Sequence, residues 1–484
     1  MTYTYAQLNA LVAAEQSAEE NAEGADYILT NATCTLTGED VSTQYDIAEW
    51  LTTLQIDVPF SNTESVSVFA PDHTAIAGPM SLVRKGDEVS FTFPAGEAST
   101  YASSAQSDVV TVRGNGQDTY LLYLLPQTLN NGLLVTVRTT DGKCYSQQFD
   151  DITTMAVNKL SFTETQPTNL WMSTIPGNVF FSMLSTPGAH DACTSKVSVS
   201  AAKCQSEDLA GLLANGVRAF DLRPRYTSNS ESDIMLDNLT IYHGMVSTDV
   251  KFKDAIDVLI DFVKNNPSEA VSVIMQKENS SSLFSLTDYS ETWRASIREC
   301  FSDESRSAYI MPSVRGIHTL DDVRGKVSIV SKNPYGNSDN GYRDVVYGAI
   351  IENWPDDDIV DNFSCGMTQA WNWTDCWASV EDAYNSSTSD KESQVSTSLS
   401  LASNNTNHFR FVYTFLNIAN SPASYAATLN PYTVGIIANL NGSLGYVYAD
   451  YMGSTSNGGN ALLQAVIKQN NKYVFNGRSR INKE

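Results

Sequence analysis

The chain has 484 residues, 42% of them hydrophobic, 18% charged and 10% aromatic, a globular balance that argues against extended disorder. Thirty basic residues against fifty-five acidic ones give a net charge of −25, which disfavours both a nucleic-acid backbone and polybasic attachment to anionic membrane. No run approaches the roughly 18 apolar residues of a membrane span, so no transmembrane segment is expected. The length fits two or three domains, or one large barrel with an accessory domain.

Residues 1–26 read as an acidic helical segment. The opening MTYTYAQLNALVAAEQ lacks a basic start and a sustained apolar core, so it does not read as a signal peptide. The expectation is an intracellular protein, or one whose export signal lies outside this sequence. From 27 to 163 the texture changes to short runs such as YILTNATCTL, SVSVFA, EVSFTF, DVVTVRG and LLVTVRTT. They alternate polar with β-branched or aromatic residues, separated by Gly, Asn, Asp and Pro. That pattern predicts an all-β sandwich. The stretch TYLLYLLPQTLNNGLLVTVRTTDGKCYSQQF resembles the second half of a fimbrillin-like β-sandwich domain of surface proteins.

The polar, proline-containing SFTETQPTNLW (161–171) marks the predicted boundary, which assigns 164–484 to a second domain. SEDLAGLLANG predicts a helix capped at Ser206 and stopped at Gly216, and VRAFDLR follows as a strand. KFKDAIDVLIDFVKNNPSE repeats apolar residues at helical spacing up to Asn266-Pro267, and AVSVIM is the next buried strand. KVSIVS, HFRFVYTFL and LGYVYADY are later strands, and a helix around ALLQAVIKQ closes the chain. Repeated strand–helix units predict a parallel barrel or an open parallel sheet. No glycine-rich phosphate loop follows the first strand, which counts against a nucleotide-binding sheet. The Ser/Thr/Asn-rich stretch 385–407 reads as a solvated helix or loop.

Seven cysteines, at 34, 144, 193, 204, 300, 365 and 376, contain no C-x-x-C. Cys193/Cys204 and Cys365/Cys376 have spacings that suit short disulfide loops, while the odd count favours ordinary thiols. Among five histidines, two stand at strand ends. His190 lies in STPGAHDA, just past VFFSML, and His243 follows LTIY and precedes a glycine. Polar residues at the carboxyl ends of strands are where a parallel barrel builds its active site. In VRAFDLR, Asp221 and Arg223 share one face and Arg218 takes the other, where a buried ion pair suits it. In AVSVIMQKE, Gln276 and Glu278 share a face opposite Lys277. Asp450, in YVYADY, ends a late strand.

PGAHDA, NGVRAFDLR, YHG and NPSEAVSVIMQKE, followed in order by RGKVSIVSK, NWPDD, SVEDAY and GYVYADY, resemble the bacterial phosphatidylinositol-specific phospholipases C. The resemblance runs from about Trp171 to the end and implies a distorted TIM barrel behind the sandwich. It implies His190 as general base oriented by Asp450, His243 as general acid partnered by Asp191, and Arg223 where eukaryotic relatives hold calcium. Asp382, Tyr384, Trp354 and Asp356 match inositol-contacting or neighbouring positions. Lys332 replaces an arginine there, and Gln276 a lysine, beside Glu278. No metal or cofactor is implied. The implied partner is an inositol phospholipid met peripherally at a membrane, by an extracellular or cell-surface bacterial protein. The partner of the sandwich is not indicated. Trp371, Trp373 and Trp377 suit either a rim that dips into headgroups or ordinary packing. A metal-dependent glycerophosphodiesterase would need an acidic cluster where Arg223 stands. An adhesin with a non-catalytic barrel would not need His190, His243, Arg223 and Asp450 together.

Overall fold

The computed structural model describes residues 33–36, 52–69, 79–85, 88–92, 110–113, 119–124, 132–140, 143–153, 156–175, 177, 179–227, 236–278, 290–338, 345, 347–351, 354–355, 357–364 and 377–475. The chain divides into two compact units, Met1–Asn178 with Asn482–Glu484, and Val179–Ile481. The predicted helix at 1–26 lies outside the described residues.

In the first unit the strands are β1 (Thr33–Leu36), β2 (Thr52–Asp57), β3 (Thr63–Phe69), β4 (Pro79–Lys85) and β5 (Glu88–Thr92), then β6 (Val110–Arg113), β7 (Thr119–Leu124), β8 (Leu133–Thr139), β9 (Cys144–Phe149) and β10 (Val157–Ser161). They form two sheets, in the orders β1-β5-β4-β7-β2-β10 and β6-β3-β8-β9. Alternation drives the burial: Leu54 and Ile56 on β2, Val66 and Val68 on β3, and Val135 and Val137 on β8 share one apolar cluster. The polar stretch after β10 stays with this unit, beyond the predicted boundary at 163/164. Thr168 N–H donates to the Cys144 carbonyl, and Ser173 Oγ donates to Thr136 Oγ1 at 3.0 Å. A stretch without hydrophobic period still brings the buried Trp171 and Met172 to the sheet.

The second unit begins with β11 (Thr186–Ala189) and α1 (Leu209–Asn215), then β12 (Ala219–Leu222). A small antiparallel sheet follows, of β13 (Pro224–Tyr226), β14 (Leu239–His243) and β15 (Val246–Lys251). Next come α2 (Phe252–Asn265), β16 (Val271–Met275), α3 (Ser290–Ser302), α4 (Glu304–Ser307), α5 (Leu320–Val323) and β17 (Val327–Ser331). The chain continues through β18 (Ala349–Ile350), β19 (Ile359–Ser364), β20 (Trp377–Glu381), α6 (Thr388–Asn404), β21 (Arg410–Leu416), α7 (Pro422–Ile437), β22 (Tyr446–Ala449) and α8 (Gly459–Phe475).

Nine strands form one curled sheet in the order β18-β17-β16-β12-β11-β22-β21-β20-β19. All pairings are parallel except β19 with β20. Read from β11, the eight parallel strands follow chain order, and the last pairs with the first. That is the winding of an eight-stranded barrel. Among the described residues no pairing joins β18 to β19, so the ring opens there.

Continuous burial of β11, β12, β16, β17 and β22 fits strands covered on both faces. The cap of α1 is Asp208 rather than the expected Ser206; its Oδ1 accepts from Gly211 N–H at 3.0 Å. The helix ends at Gly216, whose φ of 108° is left-handed. Arg218 points away from the cavity described below and pairs with Glu269 at 2.7 Å, both fully buried. The stretch after β20 is helical, capped by Ser387, and its Lys391 forms a buried pair with Glu381 at 2.7 Å. Among the described residues no helix is long and apolar enough to cross a membrane.

Candidate active site

Parallel strands deliver their carboxyl ends to one edge of the sheet, and the polar residues singled out above gather there. β11 ends into His190 and Asp191, β12 carries Asp221 and ends into Arg223, β16 into Gln276 and β17 into Lys332. β20 ends into Asp382, β21 into Asn417 and β22 into Asp450, while His243 arrives from the hairpin strand β14. A cavity of about 550 Å³ opens between them. His190, Arg223, His243, Gln276, Glu278 and Lys332 line it, as do Trp354, Asp382, Tyr384 and Asp450. Lys277, predicted on the opposite face, does not line it. Asp356, Trp371 and Trp373 lie outside the described residues, as do Cys365 and Cys376. Trp377 is half-buried in β20. Cys193 and Cys204 are free, buried thiols.

The first strand is shaped for a tight approach. A Cβ on Gly188 would fall 2.7 Å from the Tyr448 ring on β22, so the small residue lets the two strands close. Asp191 then takes a left-handed φ of 44°, which turns its carboxylate back beside His190.

His190 Nδ1 lies 2.7 Å from Asp450 Oδ1. Paired with a carboxylate, Nδ1 carries the proton, which leaves Nε2 of the neutral ring as an acceptor. Two donors face Nε2: Arg223 Nη2 at 3.0 Å and Asn417 Nδ2 at 3.3 Å. Burial pulls the His190 pKa down, but the Asp191 and Asp450 carboxylates outweigh it and leave it raised. Arg223 is clamped by Asp221 Oδ2 at 2.7 Å and Asp191 Oδ1 at 3.1 Å. Against the cost of burial, Arg223 holds the Asp221 carboxyl well below the usual carboxylate range. The His243 ring centre is 6.4 Å from that of His190. Its Nδ1 faces the Ala202 carbonyl at 3.0 Å and its Nε2 lies 3.6 Å from Asp191 Oδ2.

On the opposite wall, Lys332 Nζ sits 3.3 Å from Asp382 Oδ2 and 4.3 Å above the Trp354 ring. Trp354 Nε1 donates to the same carboxylate oxygen at 2.8 Å. Burial pushes the Glu278 carboxyl up to about 7, against the pull of Arg223. Its Oε2 is buried without a hydrogen-bond partner. A base, a potential acid and a fixed guanidinium around one cavity suit proton transfer at a phosphorus ester.

Residues 185–333 match the family model described as phosphatidylinositol-specific phospholipase C, X domain. A 1-phosphatidylinositol phosphodiesterase of Staphylococcus aureus (strain Newman) is 24% identical over 318 residues, 62% of this chain and 93% of that protein. The chain is thus similar over most of its length to a bacterial phosphatidylinositol phosphodiesterase. Its relative of that name from Listeria monocytogenes is 26% identical over 175 residues, 34% of this chain, and the match spans about half of that protein, 49%. A solved mutant of the phosphatidylinositol-specific phospholipase C from Staphylococcus aureus superposes with a TM-score of 0.53 at 21% identity. It covers 62% of this chain and 97% of its own. That likeness makes the second unit's fold a TIM-barrel type.

Three further residues border this cavity or brace its walls. Asn417 faces His190 from β21, and the end of HFRFVYTFL carried the signal, since the carboxyl end of any barrel strand is a candidate position. Gln205 Nε2 donates to the carbonyls of His190 and Ala449 at 2.7 and 2.9 Å, tying β11 to β22. Cys204 lies beside His243, and nothing in its local sequence sets it apart.

Proposed function

We propose that this chain is a phosphatidylinositol-specific phospholipase C. It cleaves phosphatidylinositol, or a glycosylated form, to diacylglycerol and inositol 1,2-cyclic phosphate. The observation that carries this reading is the pair of histidines 6.4 Å apart with the Arg223 guanidinium against one of them.

A phosphodiester beside a free hydroxyl carries its own nucleophile, so the first step needs no water. His190 Nε2 takes the proton of the inositol 2-hydroxyl, and that oxygen attacks phosphorus. The bond from phosphorus to the glycerol oxygen breaks, and His243 delivers a proton to that oxygen. Each transfer contributes about 10²–10⁴-fold, and holding hydroxyl and phosphorus together adds the intramolecular advantage. Asp450 keeps His190 in the accepting tautomer. With His243 Nδ1 donating to the Ala202 carbonyl, Nε2 is the position left to hand a proton to the leaving oxygen, and it lies 3.6 Å from Asp191 Oδ2. Arg223 neutralises charge on the phosphoryl oxygens. Asp382, Tyr384, Trp354, Lys332 and Gln276 form the ring-binding wall, with Asp356 assigned there from its motif.

The first unit is proposed as a β-sandwich accessory domain with no part in the chemistry. Its two sheets and shared apolar cluster support that reading. The substrate implies peripheral contact with a lipid surface, and the relatives' activity suits an exported protein. A phosphorus NMR time course on phosphatidylinositol tests the function. A cyclic ester appearing first supports it, and an acyclic inositol phosphate as the first product refutes the intramolecular step.

A further inference from the structure

Cys204 lies inside the site yet has no part in the proposed reaction. Its Sγ is 3.7 Å from His243 Nδ1 and 4.0 Å from Asp191 Oδ2. One donor atom from each of Asp191, Cys204 and His243 falls within 4.8 Å of the other two. The thiol is held in place. Its backbone N–H donates to Thr194 Oγ1 at 3.0 Å, its carbonyl accepts from Tyr451 N–H at 2.6 Å, and the next residue is the Gln205 clamp. A tetrahedral zinc ion, with sulfur at about 2.3 Å and nitrogen or oxygen at about 2.0–2.2 Å, separates its ligands by roughly 3.3–3.8 Å. Small adjustments of these three side chains reach that spacing.

We propose that Asp191, Cys204 and His243 form a binding site for a thiophilic divalent cation of the zinc type, and that occupying it switches the enzyme off. The sulfur decides the ion. Calcium seeks six to eight hard oxygens, whereas a thiolate, an imidazole and a carboxylate suit a borderline-soft metal. Charge permits it as well. The carboxylates of Asp191 and Asp221 outweigh the single Arg223 guanidinium, which leaves the metal-free site a net negative charge for a cation to meet. The thiol proton passes to solvent as the metal–sulfur bond forms.

His243 suits the metal better than His190. His190 has Nδ1 bound to Asp450 and Nε2 facing a guanidinium, while the partly exposed His243 ring borders the cavity. A metal on His243 takes a ring lone pair, so the ring can no longer become the imidazolium from which Nε2 would release its proton to the leaving oxygen. The site stands on geometry alone, and only its inhibitory effect rests on the proposed acid role of His243.

The test uses the full chain, freed of metal, with cobalt(II) and zinc(II) added separately, beside Cys204→Ser and Cys204→Ala. Cobalt should bring a near-ultraviolet thiolate-to-metal absorption that both variants lack. Zinc should inhibit phosphatidylinositol cleavage, with the half-inhibitory concentration raised at least about tenfold in the variants, whose metal-free turnover stays close to the parent's. Cobalt absorption that survives both substitutions, or never appears in the parent, overturns the site. Absorption that depends on Cys204 while zinc leaves cleavage untouched overturns the inhibition. The absorption reads out even if phosphatidylinositol is not cleaved, which separates failure of the site from failure of the functional assignment.

Discussion

Replacing Asp450 with Asn acts on one of the tightest contacts in the site. The carboxamide keeps the shape of the side chain but removes the charge 2.7 Å from His190 Nδ1. Both partners are buried, so neither water nor salt screens the loss. A hydrogen bond to a charged group contributes about 1.5–3 kcal/mol, and this one strengthens as His190 gains its second proton in the transition state. Losing it should lower kcat by roughly 10- to 150-fold. KM should change little, because Asp450 acts through the imidazole. The pH dependence carries a second signature. Two carboxylates hold the His190 pKa above its usual value against the effect of burial. With Asp450 neutral, burial gains weight and the pKa falls. A base works only when neutral, so the acid limb of the kcat profile should move to lower pH. Initial rates of diacylglycerol release across the acid-to-neutral range measure both effects. An unchanged kcat, or an acid limb that stays in place or moves upward, would refute the assignment of Asp450 as the group that orients the base.

Arg223→Ala should lower turnover by about 10²–10³-fold or more, and added calcium should not restore it; the parent should keep its rate in excess EDTA. The same variant should also melt lower, by about 3–5 kcal/mol, because Asp221 is left buried without its counter-charge. Asp221 is held below its unfolded pKa, so the stability from this pair is full above the ordinary carboxylate range. It is lost as pH falls toward the depressed folded value, and thermal melts against pH should show that acid dependence weakened in the variant. Glu278→Gln should flatten an inflection near pH 7 in kcat/KM and raise relative activity on its alkaline side. Ionisation at about 7 adds a third carboxylate around Arg223 and weakens its field at phosphorus; an unchanged profile would dismiss Glu278 from that role. A chain of residues 179–481 should fold and cleave a soluble inositol phosphodiester, whereas one starting at 165 carries the buried Trp171 without β3 and β8 and should be more prone to aggregate. Circular dichroism and turnover on both truncations decide this.

The sequence exposed the barrel edge well because strand period is rigid. Once VRAFDLR is a strand, Asp221 and Arg223 must share a face, and Arg218 must find a partner on the other, which is Glu269. His190, His243 and Asp450 stood out for the same reason, as polar groups where apolar runs stop. Contacts made across long separations were not legible. Asn417 meets His190 only because β21 and β22 curl round to β11. Cys204 looks like any buried thiol until the hairpin ending in β14 brings His243 beside it. Ser206 and Asp208 are both good caps two residues apart, and only backbone geometry chooses Asp208. A segment without hydrophobic period gives no sign of the buried Trp171 that it carries.

The pairing of β22 with β11 has a consequence for the chemistry. The proposed base leaves the first strand of this sheet and its carboxylate partner leaves the last, so His190 and Asp450 meet only where β22 pairs with β11. Loss of that one strand pairing would leave the proposed base without the carboxylate that fixes its tautomer, even with every other strand in place.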